Sequence, residues 1–413
     1  MKILVISNLY PPLGIGGYEE RCLHTVECLR ARGHHVHVLT SNHKLEQSNT
    51  SDENQIHRKL RIHGFFGHPW LPIHKLYLLE KTNQLILREL LRTLEIDVVH
   101  IWNMGGLSKS LLHSLEAQSI PVVYDISDHW IARSLIADVW LSWWNRPGSI
   151  CRSLLRNLLT VTGLRTWIQQ QVPTAPVTQL KFKQIYFCSD FMRRTTAGKG
   201  YPVEHAKVIH CGVEQAQFKR KTAFHPPRNF IWVGRLAQDK DPMTALKGFL
   251  EARQLSQLPL TLDIYGRGEP EYTAQIQDEI KRAGAQACVR LKSAPHAEIR
   301  TRYAQYDGYI FSSNWGEPFA LTPLEAMSAG LPVIMCPDGG DAELLADGTN
   351  ALGFEAGSAS SLAQAILRLL QLPDYGQSIS ASAHQEITAH FTVEIMTDQI
   401  EATLQRASDT QNA

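Results

Sequence analysis

Strand–helix alternation that runs separately through each half of the chain predicts an α/β protein of two doubly wound, parallel-sheet domains. Three observations lead there. The chain has 413 residues, beyond the ~250–300 at which single cores divide. Its apolar runs are short and unbroken, as strands covered on both faces require. The alternation stops at a polar, basic stretch and then starts again.

The elements follow in order. Residues 3–7 (Ile3, Leu4, Val5, Ile6, Ser7) read as a first strand. Residues 19–32 carry Cys22, Val26 and Leu29 at helical spacing and stop at Gly33. Residues 36–40 are the next strand, and residues 76–94 carry a long helical stripe. Residues 98–102, 122–126 (entered through Pro121) and 185–189 are further strands. Residues 215–228, with Lys219, Arg220, Lys221, Pro226 and Pro227, read as a linker. The second half brings a strand at 230–233, a helix at 244–255, and strands at 260–265, 308–311 and 332–336. Ile395, Met396, Ile400 and Leu404 predict a closing helix over 391–404, with a polar tail expected to fray from Ser408.

Composition excludes several classes. Lys plus Arg total 41 against 40 for Asp plus Glu, so no global field favours nucleic acid. Hydrophobic residues at 44% and charged residues at 20% exclude a wholly disordered or collagen-like chain. The seven cysteines are scattered, with no CxxC pair, which argues against a disulfide framework or zinc site and for a reducing compartment. The N-terminus is apolar only briefly and is expected to be a strand, not a signal peptide. No window approaches the ~18 apolar residues of a membrane span. A soluble or peripheral protein in the cytoplasm is expected.

Four groups of residues sit where open α/β sheets bind ligands, at strand ends. Gly14-Ile15-Gly16-Gly17 precedes a helix, where glycine admits close backbone approach and free N–H groups meet an anion. The dinucleotide fingerprint fits it poorly: Glu19 stands at the third glycine position, and Thr40, Ser41 and Asn42 stand where a ribose-binding acid belongs. A plain turn competes with a ligand loop here. Val233-Gly234-Arg235 with Lys240 places a guanidinium fork and an ammonium where both can reach one diphosphate, or merely a solvated loop. Tyr265-Gly266-Arg267-Gly268 is a second glycine turn, weak evidence alone.

The strongest group is Glu317-Pro318-Phe319-Ala320-Leu321-Thr322-Pro323-Leu324-Glu325. Thr322 suits an N-cap, Pro323 the first helical position and Glu325 the third, so a capping box competes with a carboxylate facing the ligand. In the ligand-binding reading Glu325 accepts ribose hydroxyls and the amides of Ala320 to Thr322 face phosphate oxygens.

Taken together these residues resemble a retaining glycosyltransferase of the GT-B fold, family 4. The resemblance spans nearly the whole chain. It rests on Gly16-Gly17-x-Glu19, Gly234-Arg235…Lys240, Gly266-x-Gly268, the Glu317-x7-Glu325 spacing with Gly330-x-Pro332-Val333-Ile334, and Asp338-Gly339-Gly340-x-x-Glu343. It implies two Rossmann-like domains facing across a cleft: 1–214 on the acceptor side, 215–385 binding the nucleotide sugar, and 386–413 as a helix returning to the first domain. It implies that Arg235 and Lys240 neutralise the donor diphosphate and leaving group, that Glu325 binds the ribose, and that Glu317 contacts hydroxyls of the transferred sugar. Phe319, Ala320, Leu321 and Thr322 would offer backbone contacts, and Gly16 and Gly17 would close on the diphosphate. Same-face attack, with the leaving phosphate taking the acceptor's proton, follows from the family. Fixed cations and amides suit negative charge building on a departing phosphate. No metal and no cofactor are expected beyond the donor, with a uridine or guanosine base.

The family commonly carries a His where Ser127 stands here, so His129 or Asp128 is expected to take over the polar role near the transferred sugar. Ala320 replaces a common glycine. A nucleotide-sugar epimerase of the same fold and an inactive nucleotide-sugar-binding subunit are the alternatives. The acceptor is a hydroxyl of a glycan, lipid or small molecule. Residues 139–189 contain no Asp or Glu but carry Arg146, Arg152, Arg156, Arg165, Lys181 and Lys183. They adjoin Trp130, Ile136, Trp140, Trp143 and Trp144. That pattern over 130–183 suggests an anionic membrane surface or a phosphate-bearing acceptor, and equally a buried aromatic face.

Overall fold

A computed structural model describes residues 1–12, 16–43, 55–63, 71–118, 120–133 and 137–412. They form two compact units, Met1–Ile209 with Thr397–Ala413, and His210–Met396. Gly14 and Ile136 lie outside the described residues.

The first unit opens with β1 (Lys2–Ile6), whose last four residues are buried, followed by α1 (Gly17–Ala31), β2 (His35–Ser41) and β3 (Ile56–Leu60). Then come α2 (Ile73–Thr93), β4 (Val98–Ile101), α3 (Ser110–Glu116) and β5 (Val122–Ile126). Three helices, α4 (Val139–Asn145), α5 (Ile150–Val161) and α6 (Leu164–Gln171), precede β6 (Gln184–Phe187), α7 (Asp190–Ala197) and β7 (Lys207–Val208). The sheet order is β3-β2-β1-β4-β5-β6-β7, with every pairing parallel. Chain order reverses between β1 and β4, where ligands collect in open α/β sheets. The exit of β1 toward α1 lies at that point.

The second unit holds β8 (Asn229–Val233), α8 (Pro242–Ser256), β9 (Thr261–Tyr265), α9 (Pro270–Arg282), β10 (Val289–Lys292) and α10 (His296–Arg302). It continues with β11 (Gly308–Phe311), α11 (Leu321–Ser328), β12 (Val333–Met335), β13 (Leu352–Gly353), α12 (Ala359–Gln371) and α13 (Gln377–His390). The order is β10-β9-β8-β11-β12-β13, again all parallel, so the switch lies between β8 and β11. Phe230, Trp232, Leu246, Phe249, Ile264, Ile310 and Ile366 are core residues beneath these strand exits.

The closing helix α14 (Val393–Asn412) returns to the first unit from Thr397 onward. Ile400 and Leu404 are fully buried. Arg32, just past α1, pairs with Glu401 at 2.6 Å and Asp398 at 2.7 Å, and His34 meets Glu401 at 2.7 Å.

Two expectations change, and a third question left open by the sequence is answered. The polar tail does not fray at Ser408; helix continues to Asn412, supported by i,i+4 bonds such as Gln405 to Asp409 at 3.0 Å. Residues 215–228 are not a free linker: Lys221 is buried and its Nζ donates to the Tyr306 carbonyl at 2.8 Å and pairs with Asp307 at 3.2 Å. Of the aromatic group near residue 140, Trp130, Trp140 and Trp144 are core residues, with Trp140 Nε1 donating to the Pro173 carbonyl at 2.7 Å.

One buried ion pair ties α1 to the end of β5. The Arg21 guanidinium grips the Asp125 carboxylate, both side chains being at most 1% exposed. It also bonds the Ser127 hydroxyl at 2.5 Å and lies 4.7 Å from the Trp102 ring centre. Removing one partner of such a pair leaves an uncompensated buried charge. We expect Asp125→Asn to lower the unfolding free energy by about 3–5 kcal/mol, read from the shift of the urea transition.

Candidate active site

The site residues of the second unit lie on loops leaving the carboxyl ends of its strands and, for Glu325, on the helix that follows one of them. Two pairs of these loops are lashed together by bonds from their main-chain amides. Leaving β8 and β9, Gly234 N–H donates to the Tyr265 carbonyl at 3.1 Å and Leu236 N–H to Arg267 at 2.9 Å. A Cβ on Gly266 would sit 2.1 Å from the Gly234 oxygen, and one on Gly268 1.9 Å from the Leu236 oxygen. The close approach of the chain to itself therefore accounts for both glycines, before any ligand is considered. Leaving β11 and β12, Gly340 N–H donates to the Glu317 carbonyl at 2.7 Å and Gly316 N–H to Asp338 Oδ2 at 2.8 Å. Gly339, at φ +75°, leaves no room for a Cβ, which would meet the Glu317 oxygen at 2.5 Å.

That second lashing fixes Glu317, whose side chain is 6% exposed. Its Oε1 receives the Lys240 ammonium, and the Ser313 hydroxyl at 2.5 Å. Lys240 Nζ lies 5.6 Å from the Trp315 ring centre. Asp239 and Asp241 flank Lys240 in the chain. Neither engages it: Asp241 caps α8 by accepting from Thr244 N–H at 3.0 Å, and Asp239 holds Arg235 at 2.7 Å. Arg235 is 57% exposed on its side chain and borders an open depression of about 690 Å³ with Arg267, Gly268, Glu269 and Tyr272. Arg235 and Lys240 are thus neighbours in sequence, but each is held by a different carboxylate.

The capping box does not form. Helix α11 begins at Leu321 with Ala320 as its cap, so Thr322 is the second helical residue and Pro323 the third. Glu325 is 2% exposed and does not fold back on the helix start. It meets His296 Nε2 at 2.9 Å and accepts from the Tyr303 hydroxyl at 3.1 Å. The cap is supplied from elsewhere: Asp341 Oδ1 accepts from Ala320 N–H at 2.7 Å. This corrects the expectation that the Ala320 amide faces a phosphate. The amides of Leu321 and Thr322 begin the helix and have no acceptor a turn earlier within it. Phe319 is buried and stacks near His210 and Phe391 at 4.9 and 5.9 Å, so only its backbone is available to a ligand.

Asp341, His296 and Tyr303 were not found from the sequence. Asp341 lies inside the Asp338-to-Glu343 motif, and only its fold position reveals it: fully buried, with Oδ2 unpartnered among the described residues. Burial pushes its carboxyl well above the ordinary aspartate range, and the Glu317 charge adds to the rise.

In the first unit, Gly16 caps α1, and its N–H donates to Glu19 Oε2 at 3.0 Å. Its φ of −168° is available to any residue, and a Cβ there meets nothing within 4 Å. Neither conformation nor packing among the described residues demands glycine at 16, unlike at 266 and 268. Gly17 follows as the first helical residue. After β5, Ser127 belongs to the Arg21–Asp125 network, its hydroxyl lying 2.9 Å from Asp125 Oδ1. His129 is 8% exposed, and its N–H donates to Asp128 Oδ1 at 2.6 Å. Among the described residues no three His, Cys, Asp or Glu side chains converge as metal ligands would.

A family model described as Glycosyltransferase Family 4 matches residues 15–217, and one described as Glycosyl transferases group 1 matches residues 213–386. The chain is 24% identical over 404 residues to a glycogen synthase of Mycobacterium tuberculosis, covering 95% of this chain and 91% of that one. It is 40% identical over 109 residues to the UDP-N-acetylglucosamine--peptide N-acetylglucosaminyltransferase GtfA subunit of Streptococcus gordonii. That match spans 26% of this chain and only 20% of the GtfA subunit. Anabaena HepE, solved with UDP and glucose, superposes with a TM-score of 0.68 at 18% identity, covering 98% of this chain and 99% of HepE.

Asp341 generates a pH signature. With its folded pKa raised, Asp341 stabilises fully only below the unfolded value, about 3.9, and that contribution is lost as pH rises toward the folded pKa. Asp341→Asn removes this loss. Urea melts across pH should show the variant gaining on the parent chain as pH rises above about 4, whereas parallel curves would contradict the assignment.

Proposed function

We propose, from the premise that the chain is a glycosyltransferase of the GT-B fold, that it is a retaining, metal-independent hexosyltransferase. It moves a sugar from a nucleotide diphosphate to an acceptor hydroxyl, of a glycan, a lipid or a small molecule. The observation that carries the reading is the pairing of Lys240 and Ser313 on one oxygen of the buried Glu317, at a strand exit with Arg235 on the neighbouring loop. A uridine donor is favoured by HepE, solved with UDP, and by the donor that the GtfA subunit's name carries.

Each group then has a role. The donor diphosphate draws the Lys240 ammonium from Glu317 and the Arg235 fork from Asp239. Glu317, relieved of its cation, accepts hydroxyls of the sugar. Glu325, on the first turns of α11 and steadied by His296 and Tyr303, accepts the ribose hydroxyls. The amides of Leu321 and Thr322 add partial positive charge to phosphate oxygens. From the first unit, Gly16 and Gly17 offer backbone to the diphosphate, and His129 or Asp128 the polar contact near the transferred sugar. The bond from the anomeric carbon to phosphate oxygen breaks, the acceptor oxygen bonds to that carbon on the same face, and its proton passes to the departing phosphate. Charge grows on that phosphate, so cations fixed beside it stabilise the transition state more than the ground state. No step calls for a metal or a further cofactor.

Incubation with UDP- and GDP-sugars, an acceptor panel and a chelator tests this, with the new linkage read by proton NMR. Retained anomeric configuration and undiminished turnover in chelator are expected; an inverted product or a chelator-killed reaction would overturn the retaining, metal-independent reading. Lys240→Ala should lower kcat by about 10²–10³. Glu325→Ala should chiefly raise the donor KM, by about 10- to 100-fold.

A further inference from the structure

Helix α5 buries none of its residues. Its apolar side chains stand in the open instead: Ile150, Leu154, Leu158 and Val161 are 59–87% exposed. At 3.6 residues per turn these four fall within an arc of about 80°. Leu164 and Trp167 of α6, 50% and 49% exposed, extend the apolar surface past Gly163. Soluble monomers rarely leave so many large aliphatic groups together in water without a use for them.

The charge around this surface has one sign. Residues 139–189 hold no Asp or Glu. Arg152 Nε donates to the Trp143 carbonyl at 3.0 Å, and Arg156 Nη1 to Trp144 at 2.8 Å and Arg146 at 3.0 Å, which clamps α5 onto the end of α4. Arg165 lies over the Trp144 ring at 5.5 Å. None of these four guanidinia has a carboxylate partner among the described residues. Arg152 has its pKa held below the ordinary value by burial and by the Arg156 and Arg146 cations, so the cluster repels itself. On the other edge, Lys81 of α2 lies 6.0 Å from the Trp167 ring, and Arg88 donates to the Gln171 carbonyl at 3.2 Å.

We propose that the α5–α6 hairpin docks this protein on an anionic lipid bilayer, its aliphatic face entering the headgroup boundary and the uncompensated arginines around it supplying longer-range attraction to the anionic surface. On α5, Arg152 and Arg156 fall on the side of the helix opposite the apolar arc, one helix diameter or about 10 Å away, which is close to one Debye length at physiological salt. Their field therefore still reaches the headgroup plane. A second copy of the chain fits worse. A two-fold contact would set each arginine cluster beside its own duplicate, with no acidic residue in 139–189 to answer it. The signal is not the tryptophans that drew notice in the sequence, since Trp130, Trp140 and Trp144 are buried.

The full chain should co-sediment with vesicles of mixed phosphatidylcholine and phosphatidylglycerol about tenfold more tightly than with phosphatidylcholine alone, and added salt should erode the difference. Leu154→Ser with Leu158→Ser should abolish binding while donor turnover in solution and circular dichroism stay unchanged. Should that pair disturb the fold, Ile150→Ser with Val161→Ser takes its place. Arg165→Gln should lower the anionic preference. No binding to either vesicle, or retention of binding in the serine variants, would overturn the proposal. So would a dimer, seen by sedimentation equilibrium, that the serine variants dissociate. Vesicle binding is read without any donor, so its failure leaves the glycosyl-transfer reading standing.

Discussion

An ammonium and a carboxylate at the end of the second sheet set the terms for the residues around them. Lys240 on Glu317 puts two opposite charges in a half-enclosed place, at 21% and 6% side-chain exposure. Each charge offsets part of the cost of drawing the other out of water. The price of the pairing is rigidity, and the chain supplies it: Ser313 holds the same carboxylate oxygen, and Gly340 and Gly339 pin the Glu317 backbone.

Glycine means two different things in this chain, and geometry separates them. At 266, 268 and 339 a side chain would collide with main-chain atoms, so these glycines let adjacent strand exits run in contact. At 16 there is no collision and no unusual φ. There the missing side chain leaves a surface that a ligand can approach. Gly-x-Gly by itself could not have told the two apart.

What could be read from the sequence divides along the same line between local and distant causes. Strands such as 308–311 were legible because a strand covered on both faces must be continuously apolar, and composition alone marks it. Strands β3, β7, β10 and β13 were missed. The first two and the last two of these include the sheet edges, short or alternating as in Val289-Arg290-Leu291-Lys292. The Glu317–Glu325 spacing and Lys240 were legible as a group. The start of α11 was not, since Thr322-x-x-Glu325 satisfies every local capping rule. Asp341, 21 residues beyond Ala320, takes the cap instead. Once a distant carboxylate answers the helix start, Glu325 is released to His296 and Tyr303. No local rule sees a partner supplied by tertiary structure. The arginines near residue 150 were legible as charge but not as position, because burial of the tryptophans and exposure of the leucines are decided by packing.

Two ion pairs of similar chemistry show why burial decides use. Arg21–Asp125 is sealed, with both side chains at most 1% exposed and a ring over the guanidinium. No ligand can compete for it, and its effect is to hold α1 and the end of β5 in register. Lys240–Glu317 keeps a fifth of the lysine side chain in reach of solvent. An anion can take the cation, and whatever hydrogen-bond donors accompany that anion can take the carboxylate. An ion pair is replaceable only when its desolvation is incomplete, because exchange of partners must pass through a state that water or a ligand can stabilise. The partial exposure of Lys240 therefore leaves this pair open to exchange of partners, while complete burial makes the other a structural one.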